Sequence, residues 1–141
     1  MNEPNKPFVL ILCTGNSARS QMAEGLFRHA LGHAFQFASA GTRPSHVRPE
    51  AIAVMAEAGI DISAHRSKSA DEFTGRQIHC VITVCDHAKE ACPVFPGATK
   101  RIHCSFEDPA AVEGPEAERL SAFRRVRDQI QEWIGTLRLQ S

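Results

Sequence analysis

Apolar residues along this chain come in two alternating rhythms. Runs of four to six apolar or β-branched residues, such as Phe8-Val9-Leu10-Ile11-Leu12, are separated by stretches in which apolar side chains return every three or four positions. That alternation predicts an α/β fold: a four-stranded, mainly parallel open sheet flanked by helices on both faces. Met22, Leu26 and Ala30 share one face of a helix expected over residues 20–31, with Gly32 placed to end it. A second strand fits Phe35 to Ala40. Pro49 at a first-turn position, Ile52 and Met55 on one face and a stop at Gly59 describe a second helix. Ser69 and Glu72 are spaced for a capping box on a short third helix. Ile78 to Val84 reads as a buried central strand because β-branched residues dominate it without polar alternation, and Lys100 to Cys104 reads as the last strand. The longest helical pattern runs from Pro115 to about Leu137, carrying Leu120, Phe123, Val126, Ile130, Trp133 and Leu137 on one stripe. Between Asp86 and Ala98, Pro93, Pro96 and Gly97 predict a mobile loop.

At 141 residues and 43% hydrophobic content, the chain has the size and make-up of one soluble domain, residues 1–141. Lys plus Arg equal Asp plus Glu at 16 each, so no net field would hold it on nucleic acid or an acidic membrane, and any anion site has to be local. The longest apolar run falls well short of the roughly 20 residues that span a bilayer. It is flanked by neither a basic leader nor a cleavage site, and a cytoplasmic protein is expected. Five cysteines (Cys13, Cys80, Cys85, Cys92, Cys104) are an odd number in a chain large enough to fold without staples. They argue against a secreted disulfide framework and for catalysis or metal binding in a reducing compartment.

Cys13 follows the first strand directly and stands just before the first helix. The loop after it, Thr14-Gly15-Asn16-Ser17-Ala18, can therefore turn several backbone N–H groups toward one point, beside the helix N-terminus and Arg19. Such a cradle suits a tetrahedral oxyanion, with Arg19 able to hold two oxygens at once. The same positive surroundings would favour thiolate over thiol at Cys13. Gly15 permits close backbone approach, and Ser17 and Ser20 offer hydroxyls to the thiolate or the oxyanion. The competing reading is a buried strand-end cysteine with Arg19 on the surface, since free Cys is among the most buried residue types.

Cysteine, five intervening residues and then Arg-Ser at a strand-to-helix turn resembles the phosphate-binding loop of low-molecular-weight protein tyrosine phosphatases and their arsenate reductase relatives. Ser39-Ala40-Gly41-Thr42 resembles a second segment of that superfamily. A phosphatase needs one cysteine, whereas a reductase has to move two electrons and needs further thiols. Cys85 ends the central strand, at the edge where open α/β sheets place their sites, and Cys92 lies seven residues later. The segment Val81 to Pro93 resembles the redox segment of thioredoxin-coupled arsenate reductases in cysteine spacing and in the Pro after the second cysteine. With the first loop and Glu107-Asp108-Pro109, the resemblance covers nearly the whole chain.

The resemblance implies a sequence of steps. Cys13 attacks arsenate, held by residues 14–18, Arg19 and Ser20, and Asp108 protonates the departing oxygen. Cys85 then attacks the sulfur of Cys13 and arsenite leaves. Cys92 attacks Cys85, and the resulting disulfide is reduced by thioredoxin, or by glutaredoxin with glutathione. No bound cofactor or metal is implied, and a monomer is expected. Two alternatives remain. One is a low-molecular-weight phosphatase, disfavoured because Ala110 rather than an aromatic follows Asp108-Pro109 and the chain has no tyrosine. The other is a zinc-binding or thiol-sensing module using ligands from His79, Cys80, Cys85, His87, Cys92, His103 and Cys104. It is disfavoured because Cys80 and Cys85 would face opposite sides of one strand. Some relatives hold a potassium ion with residues corresponding to Asn16, Glu24 and Ser39. Lys68 aligns near a further acidic ligand, so its ammonium could take the cation's place.

Overall fold

In the computed structural model, which describes residues 6–85 and 100–139, Phe8–Cys13 form strand β1 and all six of its residues are buried. Because successive strand side chains point to opposite faces, a strand buried at every position has both its faces covered. Helix α1 (Arg19–Leu31) follows, then β2 (Gln36–Gly41), α2 (Pro49–Glu57), a single 3-10 turn (Ala70–Phe73), β3 (Cys80–Thr83), β4 (Lys100–His103), a second 3-10 turn (Pro109–Ala111) and α3 (Glu116–Thr136). The four strands form one parallel sheet in the order β2-β1-β3-β4. The chain leaves β1 toward β2 on one side, and β3 and β4 lie on the other. A crevice therefore opens at the carboxyl ends of β1 and β3, where doubly wound sheets bind ligands.

The expected elements are present with small shifts. β1 runs one residue further, to Cys13, β2 begins and ends one residue later, and α1 starts at Arg19. β3 is formally Cys80–Thr83, but His79 N–H donates to Phe8 O and Val84 N–H to Leu12 O, so its pairing extends close to the expected span. One expectation fails. Ser69 Oγ does accept from Asp71 N–H, but the Glu72 carboxylate turns to Arg66, at 2.7 and 3.1 Å, so the reciprocal half of the capping box is missing. The element is one 3-10 turn. The predicted loop of residues 86–98, with His87 and Cys92, lies outside the described residues.

The core is built where the predicted stripes meet. Phe123, Val126, Ile130 and Ile134 of α3 are buried, as are Met22, Leu26 and Phe27 of α1 and Val54 and Met55 of α2. The Phe27 ring stacks on Phe37 at 5.2 Å and meets Trp133 edge-on at 5.9 Å, and Trp133 meets Phe106 edge-on at 5.9 Å. This aromatic row ties α1, β2 and α3 to the segment after β4 that borders the crevice. Phe27→Ala is expected to cost about 3–5 kcal/mol, a large part of the roughly 5–15 kcal/mol that stabilises an ordinary domain. In urea unfolding this appears as a lower midpoint at unchanged slope.

Candidate active site

Residues 13–18 turn between β1 and α1 with their carbonyls tied outward. Cys13 O accepts from Thr42 N–H (3.2 Å), Thr14 O from Arg43 N–H (2.8 Å), Ser17 O from Arg48 N–H (2.9 Å) and Ala18 O from Met22 N–H (2.9 Å). Gly15 O accepts from Ser45 N–H (3.1 Å) and Ser67 Oγ (2.9 Å), and Asn16 O from Gln21 Nε2 (3.1 Å). In a trans peptide the C=O of one residue and the N–H of the next point opposite ways. With no cis peptide bond in the described chain, carbonyls pulled to the outside leave the N–H groups of residues 14–19 facing the other way. Among the described residues, none of the N–H groups of 15–19 donates a hydrogen bond. The α1 N-terminus adds to this surplus of donors: its N-cap, Ala18, has no side chain to offer, and its first turn has no acidic residue.

Two buried side-chain polar atoms lack a partner among the described residues, Arg19 Nε and Thr42 Oγ1, and both belong to residues at this loop. A buried donor left unmade costs about 1–3 kcal/mol, so such atoms call for an explanation. Arg19 is held from its far end: Nη1 donates to Phe106 O at 3.2 Å and Nη2 lies 3.7 Å from Asp108 Oδ2. Asp108 Oδ1 accepts from Ala110 N–H, which anchors the carboxylate at the start of a 3-10 turn with the other oxygen toward Arg19.

Cys13 and Cys85, which end β1 and follow β3, are 2% and 3% exposed and stand at the adjoining carboxyl ends of the two paired strands. Thr14 Oγ1 is 3.2 Å from Cys85 Sγ. The expectation of a depressed Cys13 pKa is not met. The hydrogen bond with Cys85, and then burial, push it well above the usual cysteine range, while the Arg19 charge and the Thr14 N–H pull it down. Gly15 is not the close-approach position either. A Cβ there would meet nothing nearer than 3.4 Å, whereas one at Gly41 would fall 2.5 Å from Thr14 O and 3.0 Å from Asn16 N. The left-handed residue of the loop is Asn16, at φ 47°.

A polar network that the sequence reading did not assemble fixes Asn16. Its Nδ2 donates to Ser20 Oγ (2.8 Å) and Ser39 Oγ (3.0 Å), and its Oδ1 accepts from Gln21 Nε2 and Lys68 N–H, each at 3.0 Å. Ser39 Oγ donates to the buried Glu24 at 2.6 Å, and Arg28 Nη2 lies 2.6 Å from the same carboxylate. His65 Nδ1 is 2.9 Å from Gln21 Oε1, and Lys68 Nζ is 3.9 Å from Glu24 Oε1. Three of the residues tied by resemblance to a cation are thus joined to one another, with the Lys68 ammonium alongside. Burial lowers the pKa of both His65 and Lys68, and Glu24 opposes the shift in each. Among the described residues no group of three or more His, Cys, Asp or Glu is arranged for a metal ion. His87 and Cys92, of the alternative zinc set and the relay, lie outside them.

Known proteins resemble the chain over nearly its full length. The family model for low molecular weight phosphotyrosine protein phosphatase matches residues 8–140. An arsenate reductase of Halalkalibacterium halodurans is 44% identical over 132 residues, covering 94% of this chain and 95% of that protein. A solved arsenate reductase in its oxidized state superposes with a TM-score of 0.76 at 32% identity, covering 92% of this chain and 95% of that one. A thioredoxin-dependent arsenate reductase from Corynebacterium glutamicum superposes with a TM-score of 0.66 at 26% identity, covering 96% of this chain and 63% of that longer one.

Two outcomes follow from the geometry. Gly41→Ala should displace Thr14 and Asn16 and cost roughly 1–3 kcal/mol of stability, read as a lower urea midpoint. His65, whose pKa is lowered by burial and by the Arg28 and Lys68 charges against the opposing pull of Glu24 and Asp61, should make folding acid-sensitive. The unfolded chain takes up a proton near pH 6.5 and the folded chain resists it, so stability is full above that pH and declines as pH falls below it. His65→Gln should flatten that slope of the urea midpoint between about pH 7.5 and 5.5.

Proposed function

The chain belongs to the low molecular weight phosphotyrosine protein phosphatase family, and from that premise we propose that it reduces arsenate to arsenite through a Cys13–Cys85–Cys92 thiol relay recharged by thioredoxin or glutaredoxin. It is an enzyme of the arsenate reductase branch. The observation that supports the relay is the placement of the buried Cys13 and Cys85 at the adjoining carboxyl ends of β1 and β3, with Thr14 Oγ1 3.2 Å from Cys85 Sγ, beside amides that have no partner among the described residues. A phosphatase has no use for a second sulfur there. A disulfide requires its sulfurs to come within about 2 Å, which the ends of two directly paired strands can supply.

Arsenate enters as the dianion and accepts the Cys13 proton, so the thiol becomes a thiolate only when its target is bound. The unused N–H groups of residues 15–19 and Arg19 Nε take the remaining oxygens, and Ser17, Ser20 and Thr42 supply hydroxyls at the rim. Cys13 Sγ bonds to arsenic, and Asp108 protonates an oxygen that departs as water, leaving a Cys13–arsenate adduct. Cys85, with the Thr14 hydroxyl 3.2 Å from its sulfur, gives its proton to an oxygen of the adduct and attacks Cys13 Sγ. The sulfur–sulfur bond forms, the sulfur–arsenic bond breaks, and its electron pair stays on arsenic, which leaves as arsenite. Cys92 then attacks Cys85 Sγ and frees Cys13, and the external dithiol reduces the Cys85–Cys92 disulfide. No bound cofactor takes part, and Lys68 beside Glu24 makes turnover independent of potassium. The expected protein is a cytoplasmic monomer.

Arsenate-dependent NADPH consumption with thioredoxin and its reductase, or with glutathione and glutaredoxin, tests the reading. Cys85→Ser and Cys92→Ser should each lose at least about 99% of multiple turnover. Arg19→Lys, which replaces a fork with a point charge, should lower kcat/KM about 10²–10³-fold. Slow hydrolysis of an aryl phosphate should survive in the Cys85 and Cys92 variants and vanish in Cys13→Ser. Undiminished arsenate turnover in the double Cys85→Ser, Cys92→Ser variant contradicts the relay.

A further inference from the structure

We propose that Trp133, on α3 and outside the oxyanion loop, is a positioning residue for anion binding: its ring fixes Phe106, and the main chain of Phe106 fixes the plane of Arg19. The chain of contacts is short. Arg19 Nη1 donates to Phe106 O at 3.2 Å, and Phe106 N–H donates to Val84 O at 3.2 Å, so one residue joins the guanidinium to the residue before Cys85. The Phe106 ring meets Trp133 edge-on at 5.9 Å, and Trp133 in turn meets Phe27 of α1 edge-on at 5.9 Å. Arg19 is thereby connected, through one peptide and two rings, to the centre of the core.

A planar fork recognises an oxyanion only when its plane is fixed. Two tethers share that task at Arg19. Asp108 Oδ2 lies 3.7 Å from Nη2, but the Asp108 side chain is 43% exposed, and an ion pair so open to water holds a side chain weakly. The Phe106 carbonyl is the nearer partner and belongs to a buried residue. What keeps that carbonyl in place is also unequal. Next to it, Glu107 is tied to Arg125 of α3 by a pair whose side chains are both half exposed. Such a pair contributes little, whereas an aromatic contact inside the core excludes water and prefers a definite geometry.

An open groove of about 420 Å³, lined by Ser105, Phe106, Gln129, Glu132, Trp133 and Thr136, runs along this contact. With the indole removed, the Phe106 ring has space to tilt into, and its carbonyl turns with it. Arg19 Nε, buried and without a partner among the described residues, is the donor left for an anion, and it moves with the guanidinium plane. The loop amides are untouched by such a tilt, because the carbonyls of residues 13–18 are tied to other segments. Loss of Trp133 therefore removes the share of anion binding that Arg19 supplies and leaves the share of the amides.

The inference rests on the reading of residues 14–19 as an oxyanion cradle and is independent of the thiol relay. Its test measures inorganic phosphate binding by calorimetry on full-length reduced protein: wild type, Trp133→Phe, Trp133→Leu, Phe106→Leu, Arg19→Lys, and the double variant Arg19→Lys, Trp133→Leu. Circular dichroism confirms that each is folded, and urea midpoints record any loss of stability separately. Trp133→Leu and Phe106→Leu should each weaken phosphate about tenfold, an ordinary coupling for residues in contact. Trp133→Phe, which restores an aromatic edge, should stay within about threefold of wild type. In the Arg19→Lys background no fork remains to be aimed, and Trp133→Leu should add less than about twofold. General loosening of the core would instead weaken binding by the same factor in both backgrounds. An equal Trp133→Leu loss in the Arg19→Lys background overturns the proposal, as does wild-type affinity in Trp133→Leu or Phe106→Leu. Should one of these two not fold, the other takes its place in the double variant. Failure of the wild type to bind phosphate overturns the cradle reading itself, whereas failure of arsenate turnover leaves this result interpretable.

Discussion

The outward tethering of the carbonyls of residues 13–18 is the constraint on which the rest of the site depends. Six peptide planes are each turned by a hydrogen bond from the segment after β2, from Ser67, from Gln21 or from the first turn of α1. Planarity does the remainder, because a peptide whose carbonyl faces out presents its neighbour's N–H inward. The cradle is therefore made by the fold around it more than by the loop's own side chains. That explains why a buried asparagine, rather than a glycine, can occupy the left-handed position: the four hydrogen bonds of the Asn16 side chain offset the backbone strain.

Placing the thiols at the switch point of a parallel sheet gives the site its second property. β1 and β3 are neighbours, so the ends of two segments more than 70 residues apart in sequence come together without any local motif connecting them. Both thiols are buried, and burial together with the neighbouring Cys85 thiol pushes the Cys13 thiol up from its ordinary pKa. A thiolate fully exposed to Arg19 would be a stronger nucleophile but also a standing target for oxidants. The guanidinium is engaged at Phe106 and Asp108, and its Nε has no partner among the described residues. Substrate binding can thus supply both the missing partner for Arg19 and the acceptor for the thiol proton.

Much of this architecture is legible in the sequence alone. The stripes of α1 and α3 and the continuous apolar runs of β1 and β3 are local patterns, and they appear within one or two residues of where they were expected. Cys13 and Arg19 were legible because their spacing sits on a strand-to-helix turn. What escaped was non-local. Gly41 is required by a carbonyl on the adjacent strand's loop, Glu72 is drawn off its capping role by Arg66, and the upward shift of the Cys13 thiol comes from a partner in a distant segment. The Gln21–His65–Glu24–Lys68 network had no signal in periodicity, since its members come from a helix face and a loop that meet only in the folded state.

The most direct test of the central claim is a single turnover on reduced Cys92→Ser protein with no external reductant. After addition of one equivalent of arsenate, arsenite release is followed and the cysteine linkages are mapped by peptide mass spectrometry. The account predicts one arsenite per chain and a Cys13–Cys85 disulfide. Arsenite released with Cys13 and Cys85 still free, or with Cys13 bonded to Cys80 or Cys104, would contradict it.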